Sequence, residues 1–201
     1  MRVRLLLAVN CLLMASCAST LNMKTSENYA RRAYAAEHAG NWVEAREDYR
    51  RSIINAQLAD MQKDTLAVLW YEYGRASGVV CEWHEATAAL SKAYEFDKAS
   101  GGPYYMSSYE LARMNYQRKD YPTALKYYRR AYVEFESDQV DTKDPIGYAI
   151  FLDEFVRTLK EVGLGTETKE LAERAERIRK AFPGKSSHTE KTPYGSQCKR
   201  P

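Results

Sequence analysis

The sequence is poor in glycine, proline and histidine. Ten glycines and six prolines in 201 residues argue against a low-complexity chain and favour regular structure. No glycine-rich phosphate-binding loop and no Gly-x-Ser-x-Gly turn is present, and the spacing of His38, His84 and His188 is not that of metal ligands. We therefore expect no enzymatic activity, no cofactor and no metal site.

The residues that are abundant favour helices. The chain contains 16 tyrosines, and its apolar clusters are interspersed with Ala, Arg, Lys and Glu, which are good helix formers. With 45% hydrophobic and 28% charged residues, the chain is long enough to bury the core of an ordinary globular domain. The composition predicts an all-α protein.

The first residues have the organisation of a secretory signal peptide. MRVR is basic, and LLLAVNCLLMAS is an apolar run too short to span a bilayer comfortably. The stretch LMASC resembles the lipobox of bacterial lipoproteins, although Met14 stands where leucine is usual. The resemblance implies that residues 1–16 are removed and that Cys17 receives a diacylglycerol, with fatty acyl chains such as palmitate. The alternative is an ordinary secretory peptide in which Cys17 has no special role.

An acylated Cys17 would attach the protein to a membrane without crossing it, because several acyl chains suffice for stable anchoring. Residues 17–25 would then be the tether. Ala18 follows the cysteine, and by resemblance to sorted lipoproteins of Gram-negative bacteria this implies the outer membrane, with the protein facing the periplasm. Loss of Arg2 and Arg4 would leave a net charge of +1, so we expect no nucleic-acid partner.

Three segments share one helical pattern, in which an aromatic residue is followed by a small, a bulky and another small residue. The spacing of three, four and three places each set on one stripe of a helix. Small residues at these places let a neighbouring helix approach closely. The sets are Trp42, Ala45, Tyr49, Ser52; Trp83, Ala86, Leu90, Ala93; and Tyr121, Ala124, Tyr128, Ala131.

Each of these stripes is preceded by another segment of helical periodicity that ends near a turn. The three preceding segments are residues 29–39, 66–80 and 105–116. A fourth, more degenerate pair consists of residues 146–162 and a helix with Thr168, Ala172 and Ala175 at the corresponding places. Two helices joined by a tight turn form a helical hairpin, and stacked hairpins bury a continuous core.

The stretches WYEYG at 70–74, EWHEATAALSKA at 82–93 and DYPTALKYYRRA at 120–131 resemble tetratricopeptide repeats. The resemblance implies a right-handed α-solenoid of about four stacked hairpins over residues 26–183, followed by a flexible C-terminal tail over 184–201. Trp42, Trp83 and Tyr121 lie 41 and 38 residues apart, which is more than the repeat length of the family. We therefore place loops at 99–103 and 137–145.

A Glu and an Arg three residues apart recur in YEYGR at 71–75, YELAR at 109–113 and DEFVR at 153–157. At about 100° per residue these charged residues are predicted to point away from the core side of their helices. In a tetratricopeptide stack the first helix of each hairpin lines the concave face. The resemblance therefore implies a partner-binding surface made of Tyr71, Glu72, Arg75, Tyr109, Glu110, Arg113, Tyr116, Asp153, Glu154 and Arg157.

Two interpretations of these pairs are open. Arginine offers paired donors to a carboxylate and tyrosine offers an amphipathic contact, so the surface suits a protein or peptide partner, especially an acidic one. Alternatively, the Glu of one hairpin pairs with the Arg of the next, and the pairs form an internal network that binds no ligand.

The cysteine inventory allows one intramolecular disulfide. If Cys17 is acylated, Cys81 and Cys198 are the remaining thiols of the mature chain, in an oxidising compartment. One hypothesis is that the tail runs back along the repeats and is held by a Cys81 to Cys198 disulfide. The other is an unpaired Cys81 with a loose tail.

Together these features predict a membrane-anchored periplasmic scaffold that binds partner proteins or peptides through its concave face. Lipoproteins of similar layout include pilus pilotins, outer-membrane assembly factors and adaptors for cell-wall hydrolases. The alternative is a structural subunit of an envelope machine, similar to a pilotin, that docks through its outer face or its tail.

Overall fold

The computed structural model describes residues 2–187, 189 and 191–198, and for residues 2–17 it describes the backbone without the side chains. Within these ranges every regular element is helical. The chain divides into two compact units, residues 1–102 (unit 1) and residues 103–201 (unit 2). Each unit contains two helical hairpins.

Unit 1 consists of four helices that pack in chain order. They are α1 (Arg2–His38), α2 (Trp42–Leu58), α3 (Lys63–Val79) and α4 (Trp83–Ser100). Helices α1 and α2 form the first hairpin, α3 and α4 form the second, and α2 packs on α3. The core between them is built from alanines and large apolar side chains, among them Tyr49, Ile53 and Leu69.

Unit 2 repeats this arrangement with one additional short helix. Its first hairpin is formed by α5 (Tyr105–Gln117) and α6 (Tyr121–Ser137), and its second by α8 (Pro145–Glu161) and α9 (Thr168–Ala181). A single turn, α7 (Val140–Lys143), lies between the hairpins, and a 3-10 turn (Gly165–Glu167) precedes α9. Phe151 lies at the centre of an aromatic core, 4.4 Å from the Phe135 ring and 5.2 Å from the Tyr109 ring.

The predicted stripes lie at the helix contacts. The small residues of all three stripes are buried, and so are the bulky residues at their third positions; Trp42 is also buried, whereas Trp83 and Tyr121 are half-buried. In α2, Ser52 approaches Ser26 of α1 so closely that each hydroxyl donates to the other residue's carbonyl, both at 2.9 Å. In the fourth hairpin Thr168 and Ala175 are buried, but Ala172 is exposed, so that position was assigned wrongly.

The four turns within the hairpins share one backbone geometry. Gly40, Cys81, Lys119 and Gly163 all have positive φ, between 63° and 78°. In each turn the next residue's N–H donates to the carbonyl five positions back, as in Asp120 to Asn115 at 3.0 Å. This is a Schellman arrangement, which satisfies carbonyls at the helix end and reverses the chain.

Three segments differ from the prediction. Helix α1 begins at Arg2 instead of residue 29, so the predicted tether at 17–25 lies within a continuous helix, where Ser19 Oγ donates to the Ala59 carbonyl at 3.2 Å. The predicted loop at 137–145 contains α7. In the described part of the C-terminal tail (184–187, 189 and 191–198) no residue is helical. This part is not loose, because Thr192 and Tyr194 are buried, with only 3% and 4% exposure.

Candidate partner-binding faces

In unit 2, the first helices of both hairpins contribute to a buried ion-pair cluster. Glu110 and Arg113 lie three residues apart on α5, and therefore on one face of that helix. Arg113 Nη1 donates to Glu110 Oε1 at 3.0 Å, and Arg113 Nε donates to Glu154 Oε2 on α8 at 2.9 Å. One guanidinium thus joins the two hairpins through two carboxylates. We call Glu110, Arg113 and Glu154 the carboxylate-arginine cluster.

Hydroxyl groups donate further hydrogen bonds to both carboxylates of this cluster. The Tyr109 and Tyr128 hydroxyls donate to Glu154 Oε2 at 2.9 and 3.3 Å. Thr192 Oγ1 and the Tyr194 hydroxyl, both in the tail, donate to Glu110 Oε2 at 2.9 and 2.6 Å. Buried charges are tolerated when they are paired and hydrogen-bonded in this way.

The pKa values of Glu154, Tyr109 and Tyr128 are shifted in the directions that their hydrogen bonds favour. Burial by itself would raise the pKa of Glu154, but the charge and hydrogen bonds of Arg113, together with the Tyr109 hydroxyl, outweigh burial and hold that pKa below its ordinary value. Burial and the charge of Glu154 raise the pKa values of Tyr109 and Tyr128. Both tyrosines are therefore donors at neutral pH.

Next to the cluster lies a small cavity of about 50 Å³, lined in part by Tyr116, Arg157 and the two tail residues Thr192 and Tyr194. A cavity of this size holds only a few water molecules. Arg157 remains 53% exposed and lies 3.6 Å from Glu154, and Tyr116 is half-buried. These two side chains form the accessible part of this face.

Unit 1 has a related but separate arrangement. Arg75 of α3 lies between Glu72 of its own helix and Glu37 of α1, with Nη1 to carboxylate distances of 2.6 and 3.2 Å. The Tyr49 hydroxyl donates to the other oxygen of Glu37 at 3.0 Å. Burial and the charges of Glu72 and Glu37 raise the pKa of Tyr49. Tyr71 places its ring 5.8 Å from the Arg75 guanidinium carbon.

Several predicted surface residues are buried, and their assignment to an accessible surface was wrong. Tyr109, Glu110, Arg113 and Glu154 are all buried, because α8 and the tail cover the side of α5 that one helix alone would leave open. Asp153 points elsewhere and is hydrogen-bonded to Arg179 of α9. The predicted pairing between the Glu and Arg of neighbouring Glu-x-x-Arg motifs is present as Glu154 with Arg113. In unit 1, Arg75 pairs across the hairpins with Glu37, which lies outside the motif.

Some residues of these faces were missed in the sequence. Glu37 and Tyr49 in unit 1 lie outside the Glu-x-x-Arg motif, although Tyr49 belongs to a recognised stripe. Thr192 and Tyr194 lie in a tail without periodicity, so no pattern placed them. The side chain of Cys17, the predicted lipidation site, lies outside the described residues, whereas Cys81 and Cys198 are both disulfide-bonded.

Two features are absent from the part of the chain that the structure describes. There, no group of three or more His, Cys, Asp or Glu side chains converges to hold a metal ion. No helix in the same ranges is both long enough and apolar enough to cross a bilayer.

Solved structures show what the fold is similar to. No family model and no curated protein matches the sequence. BtubC (BKLC) from P. vanneervenii is similar with a TM-score of 0.72 at 17% identity, over 83% of this chain and 67% of that one. A putative kinesin light chain of P. anserina with nearly identical TPR-like repeats gives 0.63 at 17% identity, over 78% and 75%. MamA gives 0.60 at 15% identity, over 78% and 79%.

These similarities are at the level of fold, since all three identities are low. The hairpins, the buried small-residue stripes and the shared turns agree with the helical repeats of these proteins. The chain therefore has the all-α fold of the tetratricopeptide-like solenoids, as the sequence predicted.

Proposed function

We propose that this protein is a membrane-anchored periplasmic scaffold, without catalytic activity, that binds partner proteins or peptides through the faces formed by its first helices. The observation that carries the proposal is the arrangement in unit 2. There, exposed Arg157 and half-buried Tyr116 lie beside a rigid, fully hydrogen-bonded cluster. Rigid side chains with one polar end give contact area at little entropic cost.

The test of partner binding uses two arginines of equal exposure. Arg157 lies on the proposed face and Arg129 lies on α6, paired with Glu167 at 3.1 Å; each side chain is 53% exposed. We expect Arg157→Glu combined with Tyr116→Ala to lose the partners that are crosslinked to the protein in cells. Arg129→Glu should retain them, and both variants should keep the melting temperature within a few degrees. Loss of stability with partners retained would instead favour a purely structural role for the ion pairs.

Anchoring is tested separately through Cys17. Substitution by serine removes the thiol that an acyl chain needs, so we expect Cys17→Ser to abolish metabolic labelling with a fatty acid. The protein should also move from the membrane fraction to the soluble periplasmic fraction. Labelling that persists in Cys17→Ser would contradict lipidation at this residue.

One observation favours the second candidate, a structural subunit that docks through its outer face. Val43, Ile54 and Leu58 on α2 are all exposed, which gives the second helix of the first hairpin apolar contact points. Replacing all three by serine distinguishes the candidates: an outer-face subunit would lose its partners, whereas an inner-face scaffold would keep them.

A further inference from the structure

The tail of unit 2 lies against the carboxylate-arginine cluster of the same unit. After α9 ends at Ala181, Ser187 Oγ donates to Asp144 Oδ2 at 2.9 Å. The described residues that follow, 189 and 191–194, are not helical and reach the carboxylate-arginine cluster. Along this segment Thr192 and Tyr194 are buried, while Lys191 and Pro193 are exposed. The segment is a turn, in which the Tyr194 N–H donates to the Thr192 carbonyl at 2.9 Å and the Ser196 N–H donates to the Pro193 carbonyl at 3.1 Å. This turn inserts two side chains of one short segment into the protein surface.

The contacts of this segment are specific for hydroxyl groups. The Thr192 and Tyr194 hydroxyls both donate to Glu110 Oε2, while Glu110 Oε1 accepts from Arg113. Hydrogen bonds to an ionised acceptor are stronger than neutral ones. An occupant that lacked the hydroxyls would leave a buried carboxylate oxygen unpaired, which is unfavourable.

The tail and an external peptide cannot occupy this site together. With the tail bound, the cavity beside Tyr194 that reaches Arg113 and Glu154 measures about 50 Å³, which is too small for a peptide. A segment of the same chain competes strongly for such a site, because its effective concentration is high. The accessible residues Tyr116 and Arg157 border this site.

We propose that unit 2 contains a peptide-binding site that is occupied in cis by residues 191–196. Its external partner is a peptide segment with a Ser or Thr and, two residues later, a Tyr, both donating to Glu110. The tail is thus an autoinhibitory ligand, and a partner binds by displacing it. This inference rests on the proposed scaffold function and names the chemistry that one of its faces recognises.

The experiment tests whether an added peptide binds to the site after the Thr192 and Tyr194 side chains have been removed from the tail. In the full-length chain, Thr192→Ala combined with Tyr194→Ala removes the two side chains that fill the site. Fluorescence anisotropy measures binding of labelled KTPYGSQ, the sequence of residues 191–197, and of KVPFGSQ, which lacks both hydroxyls. We expect KTPYGSQ to bind this variant at least about tenfold more tightly than it binds wild-type protein, and at least about tenfold more tightly than KVPFGSQ does.

A matched variant controls for changes in the tail. Ser186→Ala combined with Ser196→Ala removes two exposed hydroxyls from the same segment and should behave as wild type. If thermal unfolding shows that the alanine variant is not folded, Thr192→Val with Tyr194→Phe keeps the packing volume and is compared in the same way. The proposal would be overturned if KTPYGSQ bound equally to the Thr192→Ala/Tyr194→Ala variant and to the Ser186→Ala/Ser196→Ala variant. It would also be overturned if KTPYGSQ and KVPFGSQ bound equally. That result would leave the crosslinking test at Arg157 unaffected, so the two failures are distinguishable.

Discussion

At the scale of single residues, the guanidinium of Arg113 is buried between two carboxylates, Glu110 and Glu154. Glu110 on α5 and Glu154 on α8 are buried with it. The free-energy cost of removing these charges from water is offset by the ion pairs and the hydroxyl donors. Removing one partner of such a pair leaves an uncompensated buried charge. Conservative substitutions in the cluster should therefore have large effects.

We expect Glu154→Gln to lower the free energy of unfolding by about 3 kcal/mol, because it leaves the buried Arg113 charge without its second carboxylate. Urea unfolding followed by far-UV circular dichroism measures the change. The control is Glu167→Gln, which breaks the exposed pair with Arg129 and should change stability by less than about 0.5 kcal/mol. Equal effects of the two substitutions would contradict the importance of burial.

The contribution of Glu154 to the free energy of unfolding should depend on pH in the acid range. The pKa of Glu154 is lowered from its ordinary value of 4.5 in the folded protein. Its contribution to stability is therefore fully present above about pH 4.5 and is lost as the pH falls through the lowered value. The difference in unfolding free energy between wild type and Glu154→Gln should be constant from pH 7 to pH 5 and shrink below pH 4.5. A difference that grows toward acid pH would show that the pKa is raised instead.

At the scale of helices and turns, the hairpins depend on left-handed turn residues. Lys119 is exposed and has φ of 63°, a conformation that costs a side-chain-bearing residue about 1 kcal/mol relative to glycine. We expect Lys119→Gly to raise the free energy of unfolding by about 1 kcal/mol. Lys119→Ala, which loses the same side chain but keeps Cβ, should give no such gain. An equal increase in both variants would mean that the lysine side chain, not the backbone, is unfavourable.

The second hairpin also depends on a close approach of α3 to α4. A Cβ at Gly74 would lie 2.8 Å from Leu90 Cγ and 3.1 Å from the Leu90 backbone nitrogen. Although alanine favours helices by about 1 kcal/mol over glycine, we expect Gly74→Ala to destabilise the protein by about 2 kcal/mol through overpacking. In a double-mutant cycle with Leu90→Ala the two effects should not add, because the smaller side chain relieves the contact. Additive effects would contradict this explanation.

At the scale of the whole molecule, the cysteines and the tail are the features that reach beyond a single hairpin. Cys81 and Cys198 are both disulfide-bonded. If residues 1–16 are removed and Cys17 is acylated, as we propose, we predict that the two bond to each other. Peptide mapping of periplasmically expressed protein under non-reducing conditions should yield one linked pair of peptides that separates on reduction. In a Cys198→Ser variant Cys81 should carry a free thiol. A linked pair between two molecules would contradict the prediction.

Much of the fold followed from local pattern. Stripes such as Ala86, Leu90 and Ala93 predicted which sides of the second helices are buried, because helix geometry alone relates spacing to a face. The start of α1 was not found, since the signal-peptide pattern and the helix occupy the same residues. Glu110 and Arg113 were placed on the correct helix but in the wrong environment, because burial there depends on α8 and the tail.

By itself, the sequence determined that the chain forms paired helices and which of their sides pack together, because residue spacing along a helix sets direction without reference to the rest of the molecule. Only the tertiary structure decided that the Glu and Arg pairs are internal and that Thr192 and Tyr194 complete them. These contacts join residues as far apart as Glu110 and Tyr194. A local sequence pattern cannot predict a hydrogen bond between segments that meet only when the chain has folded.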